Sequence, residues 1–258
     1  NMKNPYSDQF SVGIEREIFP DFSLSLTGLY KESKDPIGSQ NATEEYEVID
    51  YYDEFGDQWI QVYNQTNDSF YLTTYRDDKT TYKAVILAFN KRLIDKWQVS
   101  GSFTWSKTLQ YPKGYSDQND LINMYGVPGP YDREWQFKIS GTYIFPYGIM
   151  LSAYFAYEQG RPYNRAIPID LDQGRRTIAA EERGSKRLPS PTYLDLRVEK
   201  EFGLRGNSKL KFLIDIWNVF NTDYYSSVAS TNGLSDAYLD PVGFVLPRRA
   251  QLGFRFIF

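Results

Sequence analysis

A chain of 258 residues with 33 acidic and 29 basic side chains is long enough for one large β domain or two ordinary ones, and its net charge of −4 gives no overall basic footprint for nucleic acid. It contains no Cys and no His, which excludes disulfides, thiolate nucleophiles, His-dependent triads and metal sites built on either residue, while a carboxylate-only enzyme stays open. No run approaches the roughly 20 apolar residues of a spanning helix, but a mean hydropathy of −0.54 is compatible with a membrane barrel, whose alternating strands average to a polar score.

The opening NMKNPYSDQF shows no charged-then-apolar leader, so either a leader was removed or the chain is a piece of something longer. Period-two patterning, helped by 22 Tyr and 17 Phe, then predicts strands at 6–19, 22–34, 76–94, 97–107, 133–145, 148–160, 192–202, 209–222 and 247–258. Most reach the roughly 9–11 residues that a tilted strand needs to cross a bilayer. The connections at Pro20-Asp21, Asp95-Lys96, Pro146-Tyr147 and GLRGNS (203–208) are short, whereas 35–75, 108–132, 161–191 and 223–246 are long. Strict alternation in an antiparallel meander puts all tight turns at one end and all long loops at the other, as in outer-membrane barrels.

The strand faces agree. Leu24, Leu26, Gly28 and Tyr30 alternate with Ser23, Ser25, Thr27 and Leu29, and Trp97, Val99, Gly101, Phe103 and Trp105 alternate with Gln98, Ser100, Ser102, Thr104 and Ser106. Later, Leu194, Leu196 and Val198 alternate with Asp195, Arg197 and Glu199, and Phe212, Ile214 and Ile216 with Lys211, Asp215 and Trp217. The apolar set is assigned to lipid and the polar set to a lumen. A soluble barrel with these faces inverted is the alternative, since alternation alone does not say which side is inside. Aromatics at the ends of the apolar faces (Phe22, Tyr30, Trp97, Trp105, Trp135, Phe145) suit an interfacial girdle. In 76–94, Ala84, Ile86 and Ala88 compete with Val85, Leu87 and Phe89, and the faces stay unassigned. The expected fold is thus all-β, an antiparallel up-and-down transmembrane β-barrel.

Several segments resemble TonB-dependent outer-membrane receptors, nearest to the Oar-like group whose plug follows a carboxypeptidase-regulatory-like domain. They are the hairpin NPYSDQFSVGIEREIFPDFSLSLTGLYKESKD; Asp132-Arg133 before a strand with Gly160-Arg161-Pro162-Tyr163 after the next; Leu194-Asp195-Leu196-Arg197 with Asn218-Val219-Phe220-Asn221; and the closing PRRAQLGFRFIF. The resemblance implies a barrel of about 22 strands with an N-terminal plug. No plug or TonB-contacting box is recognisable here, and nine open strands would leave two edges in lipid. The chain is therefore expected to be the C-terminal strands of a larger barrel. The implied function is active uptake of a scarce nutrient (siderophore, oligosaccharide or peptide), with a passive porin or adhesin-like barrel as alternative. Implied partners are outer-membrane lipid and lipopolysaccharide, the plug and remaining strands, the TonB complex and the barrel-assembly machinery, which would read Phe258 as an assembly signal; no cofactor is implied.

Among candidate sites, Asp195, Arg197, Glu199, Asp215 and Arg255 are read as lumen charges facing the plug rather than as a catalytic dyad, because Arg197 would keep the aspartates ionised. Tyr111, Tyr115, Tyr125 and Tyr131 suit either ligand stacking or loop packing. Loop 161–191 carries Arg161, Arg165, Arg175, Arg176, Arg183, Lys186 and Arg187; Arg161 and Arg165 are candidates for an anionic ligand, against a mixed-charge solvated loop. Loop 35–75 is acidic, without Lys or Arg; calcium binding is weighed there against simple solvation, and YEVIDYY and WIQVY suggest a hairpin above the membrane. Asn-x-Ser/Thr triplets at Asn41, Asn64 and Asn67 carry no weight in a bacterial outer membrane.

Overall fold

The computed structural model describes residues 2–43, 45–66 and 69–258; the carboxylates of Glu44 and Asp68 and the triplet at Asn67 lie outside the described residues. Nine long strands form one antiparallel sheet: β1 (Tyr6–Phe19), β2 (Phe22–Lys34), β3 (Lys79–Ile94), β4 (Trp97–Tyr111), β5 (Trp135–Phe145), β6 (Ile149–Glu158), β7 (Thr192–Gly203), β8 (Lys209–Trp217) and β9 (Arg249–Ile257). Each pairs with its neighbours in chain order, so the sheet is an up-and-down meander, with β1 and β9 at its two edges and no closure between them.

The short connections are built by residues that accept a left-handed backbone. Asp95 and Lys96 both have positive φ, 53° and 73°, the two-residue hairpin geometry whose twist matches the flanking strands. Lys91 secures this turn: its Nζ donates to the carbonyls of Arg92, Ile94 and Trp97 at 3.2, 3.1 and 3.4 Å and lies over the Trp97 ring at 4.2 Å. At the other end, β8 stops at Trp217 rather than continuing to 222, because Asn218 and Asn221 take positive φ, 51° and 50°. The Asn218 side chain then accepts from the Thr222 amide at 3.0 Å and donates to the Leu246 carbonyl at 3.1 Å. The Asn-Val-Phe-Asn motif is therefore a strand terminator.

Register settles the faces. Leu24, Leu26 and Gly28 of β2 lie opposite Phe89, Leu87 and Val85 of β3, which places Val85, Leu87 and Phe89 on the apolar side and Ala84, Ile86 and Ala88 with Ser25, Thr27 and Leu29. None of the described residues covers the apolar side: Leu252 and Phe254 are 78% and 79% exposed, and Leu87, Phe103 and Ile214 are exposed as well.

The buried apolar core lies elsewhere, among the long connections that sit at one end of the sheet: the first (35–78), second (112–134), third (159–191) and fourth (218–248) loops. The first contains the hairpin Tyr46–Asp53/Gln58–Gln65 and the third the hairpin Ala166–Leu171/Gly174–Ala179. Ile60 and Val62 of one pack with Ile167, Ile169, Ile178 and Ala180 of the other, with Ile122 of the second loop against them. Each fully buried aliphatic side chain here is worth roughly 1.5–3 kcal/mol, enough for two hairpins that are marginal alone to hold each other.

Candidate functional site

The lumen-facing wall is a band of short polar side chains. Ser100 and Ser140 bond across β4 and β5 at 2.9 Å, and Thr142 and Ser152 across β5 and β6 at 2.9 Å. Toward β8 the band becomes charged: Arg197 grips Asp215 with two bonds, 2.5 and 2.9 Å, and stands 4.0 Å from Glu199. Asp195 does not join this cluster; it accepts the Asn218 backbone N–H at 2.8 Å and so anchors the strand terminator. Arg255 lies opposite Lys211 on the same face. The wall between β3 and β8 holds a depression of about 530 Å³ lined by Gln98, Ser100, Ser140, Thr142, Ser152 and Arg197 among others. Asp195, Glu199 and Asp215 also line it, and Asp215 is neutralised by the bidentate Arg197 guanidinium.

Above the wall the four loops form a cap whose charges answer one another. Arg165 of the third loop and Asp53 of the first are both buried, 5% and 2% exposed, and form a two-bond ion pair. Burial on its own would raise the Asp53 carboxyl. The Arg165 guanidinium, the Gln58 amide and the Gly56 N–H outweigh it and hold the group below the usual aspartate value. Arg176 meets Asp117 at 2.8 Å, Arg187 meets Asp132 at 2.8 Å and Lys186 meets Glu181 at 3.0 Å. Three arginines of the basic third loop thus find counterions in the first and second loops, while Glu45, Glu47, Asp50, Glu54 and Asp57 of the acidic first loop stay exposed to solvent.

Amide side chains complete the lattice. Asn64 and Asp172 exchange two bonds of 2.8 Å, and Asn119 bonds both the N–H and the C=O of Tyr63 at 2.9 and 2.7 Å. Asn41 and Asn64 of the triplets are buried, 1% and 6% exposed. At the cap's base, Arg133 reaches Glu158 at 2.6 Å, and Asp132 accepts from the Thr108 N–H at 2.6 Å. Gly160 lets the third loop pass close by: a Cβ there would stand 1.7 Å from the Leu188 carbonyl oxygen. The motif residues Asp132-Arg133 and Gly160-Arg161 thus join loops to strands.

Of the loop residues singled out from sequence, Arg165 is buried and spends two of its N–H donors on Asp53. Tyr115 packs on Tyr46 with centroids 6.3 Å apart. Tyr111 ends β4 and meets Tyr125 edge-on at 5.3 Å. Tyr125 and Tyr131 present their rings outward at 64% and 74% exposure, and the Arg161 guanidinium lies 5.1 Å from the Tyr131 centroid. The two tyrosines form the outward-facing part of the expected set, with Arg161 half-buried beside Tyr131. Among the described residues no three carboxylates converge as a cation site would require. Asp117, Asn119 and Lys91 are not singled out by the sequence, and Asp53 only as one of the acidic residues of loop 35–75. Only Asp117 had a local signal, as the cap of the short 3₁₀ turn Gln118–Leu121, accepting from the Asn119 N–H.

Residues 1–155, more than half of the chain, match the family described as outer membrane beta barrel domain. No curated protein matches. Among solved structures, the outer membrane transporter YddB from Escherichia coli superimposes on 98% of this chain and 33% of its own, with TM-score 0.61 and 15% identity. The ferric-catecholate import receptor Fiu from E. coli K12 covers 99% of this chain and 28% of its own (TM-score 0.59, 16% identity). BauA, the ferric preacinetobactin receptor from Acinetobacter baumannii, covers 97% and 29% (TM-score 0.59, 12% identity). The chain thus spans about a third of these proteins' length or less, and at such identities the likeness is one of fold. With an apolar face that none of the described residues covers, a polar face across the sheet and short turns opposite long loops, the chain belongs to the outer membrane beta-barrel domain family and resides in the bacterial outer membrane.

Proposed function

We propose that this chain is the C-terminal wall and cap of a TonB-dependent transporter that captures a scarce nutrient from outside the cell. The observation that carries the reading is the combination of a serine- and charge-lined lumen face with four loops joined into one cap at its end, the fourth through Tyr238 against Phe55 and the Thr231 carbonyl accepting from the Ala166 N–H. A cap held together by its own aliphatic cluster and ion pairs is preformed, which reduces the ordering cost of binding. Tyr125 and Tyr131 are the residues offered outward for stacking, with Arg161 beside Tyr131 for an anion.

On this reading the unpaired edges of β1 and β9 meet further strands of the same barrel. Arg197, Glu199, Asp215 and Arg255 face a plug, with Asp195 holding the end of β8 beside them. The TonB complex supplies the work of moving the plug, and Phe258, 95% exposed at the end of the last strand, is available to the barrel-assembly machinery. The fold relatives named for ferric-catecholate import and ferric preacinetobactin reception make a metal-chelate ligand the first to test. No bond of the ligand is made or broken.

The test is uptake of labelled ferric siderophores by cells carrying the full-length protein, with and without TonB. Accumulation that requires both supports the proposal. Passive, TonB-independent flux together with large open conductance in planar bilayers would identify a porin instead.

A further inference from the structure

The outward face of β1–β4 carries a pattern that neither the lumen nor the cap uses. Reading toward the loops, register places Ile14, Leu26, Leu87 and Phe103 in one row, then Val12, Gly28, Val85 and Trp105, then Phe10, Tyr30, Lys83 and Lys107. Successive rows are about 7 Å apart along the strands. On β3 and β4 the apolar band therefore ends at Val85 and Trp105, and the next positions outward are two lysines facing each other, level with Phe10 and Tyr30 of β1 and β2.

Like charges directly opposed on one face of a ladder destabilise it. The lysines nearer the loops are relieved: Lys34 and Lys79 share Glu32 at 2.9 and 3.2 Å, and Asp8 stands 3.6 Å from Lys34. Lys83 and Lys107 have no carboxylate within ion-pair distance among the described residues; Lys83 leans on the Tyr30 ring at 5.9 Å. Their repulsion calls for an anion from outside the chain.

Directly below Lys83 runs a groove of about 260 Å³ lined by Phe10, Val12, Gly28, Tyr30, Val85 and Trp105. Gly28 creates it. Its φ is not positive, and a Cβ there would meet nothing nearer than Val12 Cγ1 at 3.8 Å. Neither backbone geometry nor packing within the chain demands the glycine, and the space it leaves opens onto lipid.

We infer that this face binds one outer-leaflet lipid with a phosphorylated headgroup, an acyl chain lying in the Gly28 groove and a phosphate bridging Lys83 and Lys107. Depth and charge both fit: the site lies at the long-loop end, which faces outward in this family, and the cations stand just beyond the aromatic girdle where headgroup phosphates lie. The inference depends on the membrane placement of the wall and not on any transported ligand.

Native mass spectrometry of the intact protein in zwitterionic detergent tests it, with three probes: diphosphoryl lipid A, the same lipid after phosphatase treatment, and inorganic phosphate. One tightly held lipid A is expected, with weaker binding of the dephosphorylated lipid and no measurable binding of free phosphate. The double variant Lys83→Gln/Lys107→Gln loses about 25-fold in affinity, about fivefold per lysine. Lys34→Gln/Lys79→Gln, the same change in cation count two rows away, costs less. Gly28→Leu fills the groove and weakens binding of both lipids. Equal affinity for the dephosphorylated lipid, unchanged binding by the Lys83/Lys107 variant, or an equal loss in the Lys34/Lys79 variant overturns the site. Free phosphate binding as tightly as lipid A would reduce it to an anion site without a lipid.

Discussion

Phe254 in the wall and Ile178 in the cap are both apolar strand residues, yet one is 79% exposed and the other wholly buried. The wall leaves its apolar side chains to the bilayer and pairs its backbone strand to strand, so its sequence needs only alternation. The cap stands in water and must supply everything itself: an aliphatic cluster between two hairpins, a buried ion pair, and amide side chains that satisfy loop backbone. A protein divided this way takes its stability from two solvents, and substitutions in one part should leave the other intact.

The hardest test of that separation is Asp53→Ala. It strands the Arg165 guanidinium in the cap interior, and breaking a buried pair from one side costs about 3–5 kcal/mol. Hydrogen exchange should show lost protection in both cap hairpins with β1–β9 unchanged; equal loss in the wall would mean that the two parts fold as one. Ile178→Ala should act similarly, at about 2–5 kcal/mol. In the wall, Leu87→Lys places a charge in the lipid band and should cost about 2–4 kcal/mol in a lipid-bilayer unfolding titration. Ser100→Lys, on the lumen side of the next strand, should cost much less, and the reverse order would invert the assigned faces.

Acid separates the regions more gently. Asp53 titrates below its ordinary value in the folded cap, so its contribution is complete above the unfolded-state aspartate pKa and disappears as pH falls through the lowered folded value. Pepsin cleavage within 46–65 should therefore accelerate as pH drops through the acidic carboxylate range, an increase absent from Asp53→Asn. The smallest effect belongs to Arg197→Ala: cross-strand pairs on a half-exposed face contribute about 0.2–1 kcal/mol, so thermal stability should barely move.

The charged loops show why the cap was the harder part to read. Loop 35–75 reads as acidic and loop 161–191 as basic, but nothing in either sequence says that the two meet. Arg165 and Asp53 are 112 residues apart, and their pairing depends on how the hairpins stack. Tyr115 and Tyr131 have the same composition signal, yet one ring is packed on Tyr46 and the other faces out. The aromatic and basic loop residues were legible as a group, while which of them faces solvent was not.

Strand positions, the alternation of short and long connections and the polar–apolar faces of most strands follow from the sequence by itself. A residue's side of a β-sheet is set by a two-residue period that local composition writes directly. Tertiary structure alone decided the faces of β3, where alternating Ala and Ile on one side and Val, Leu and Phe on the other are both apolar, so only register against Leu24, Leu26 and Gly28 could choose. It also decided the interior of the cap, because contacts between distant loops depend on three-dimensional packing that no local pattern encodes.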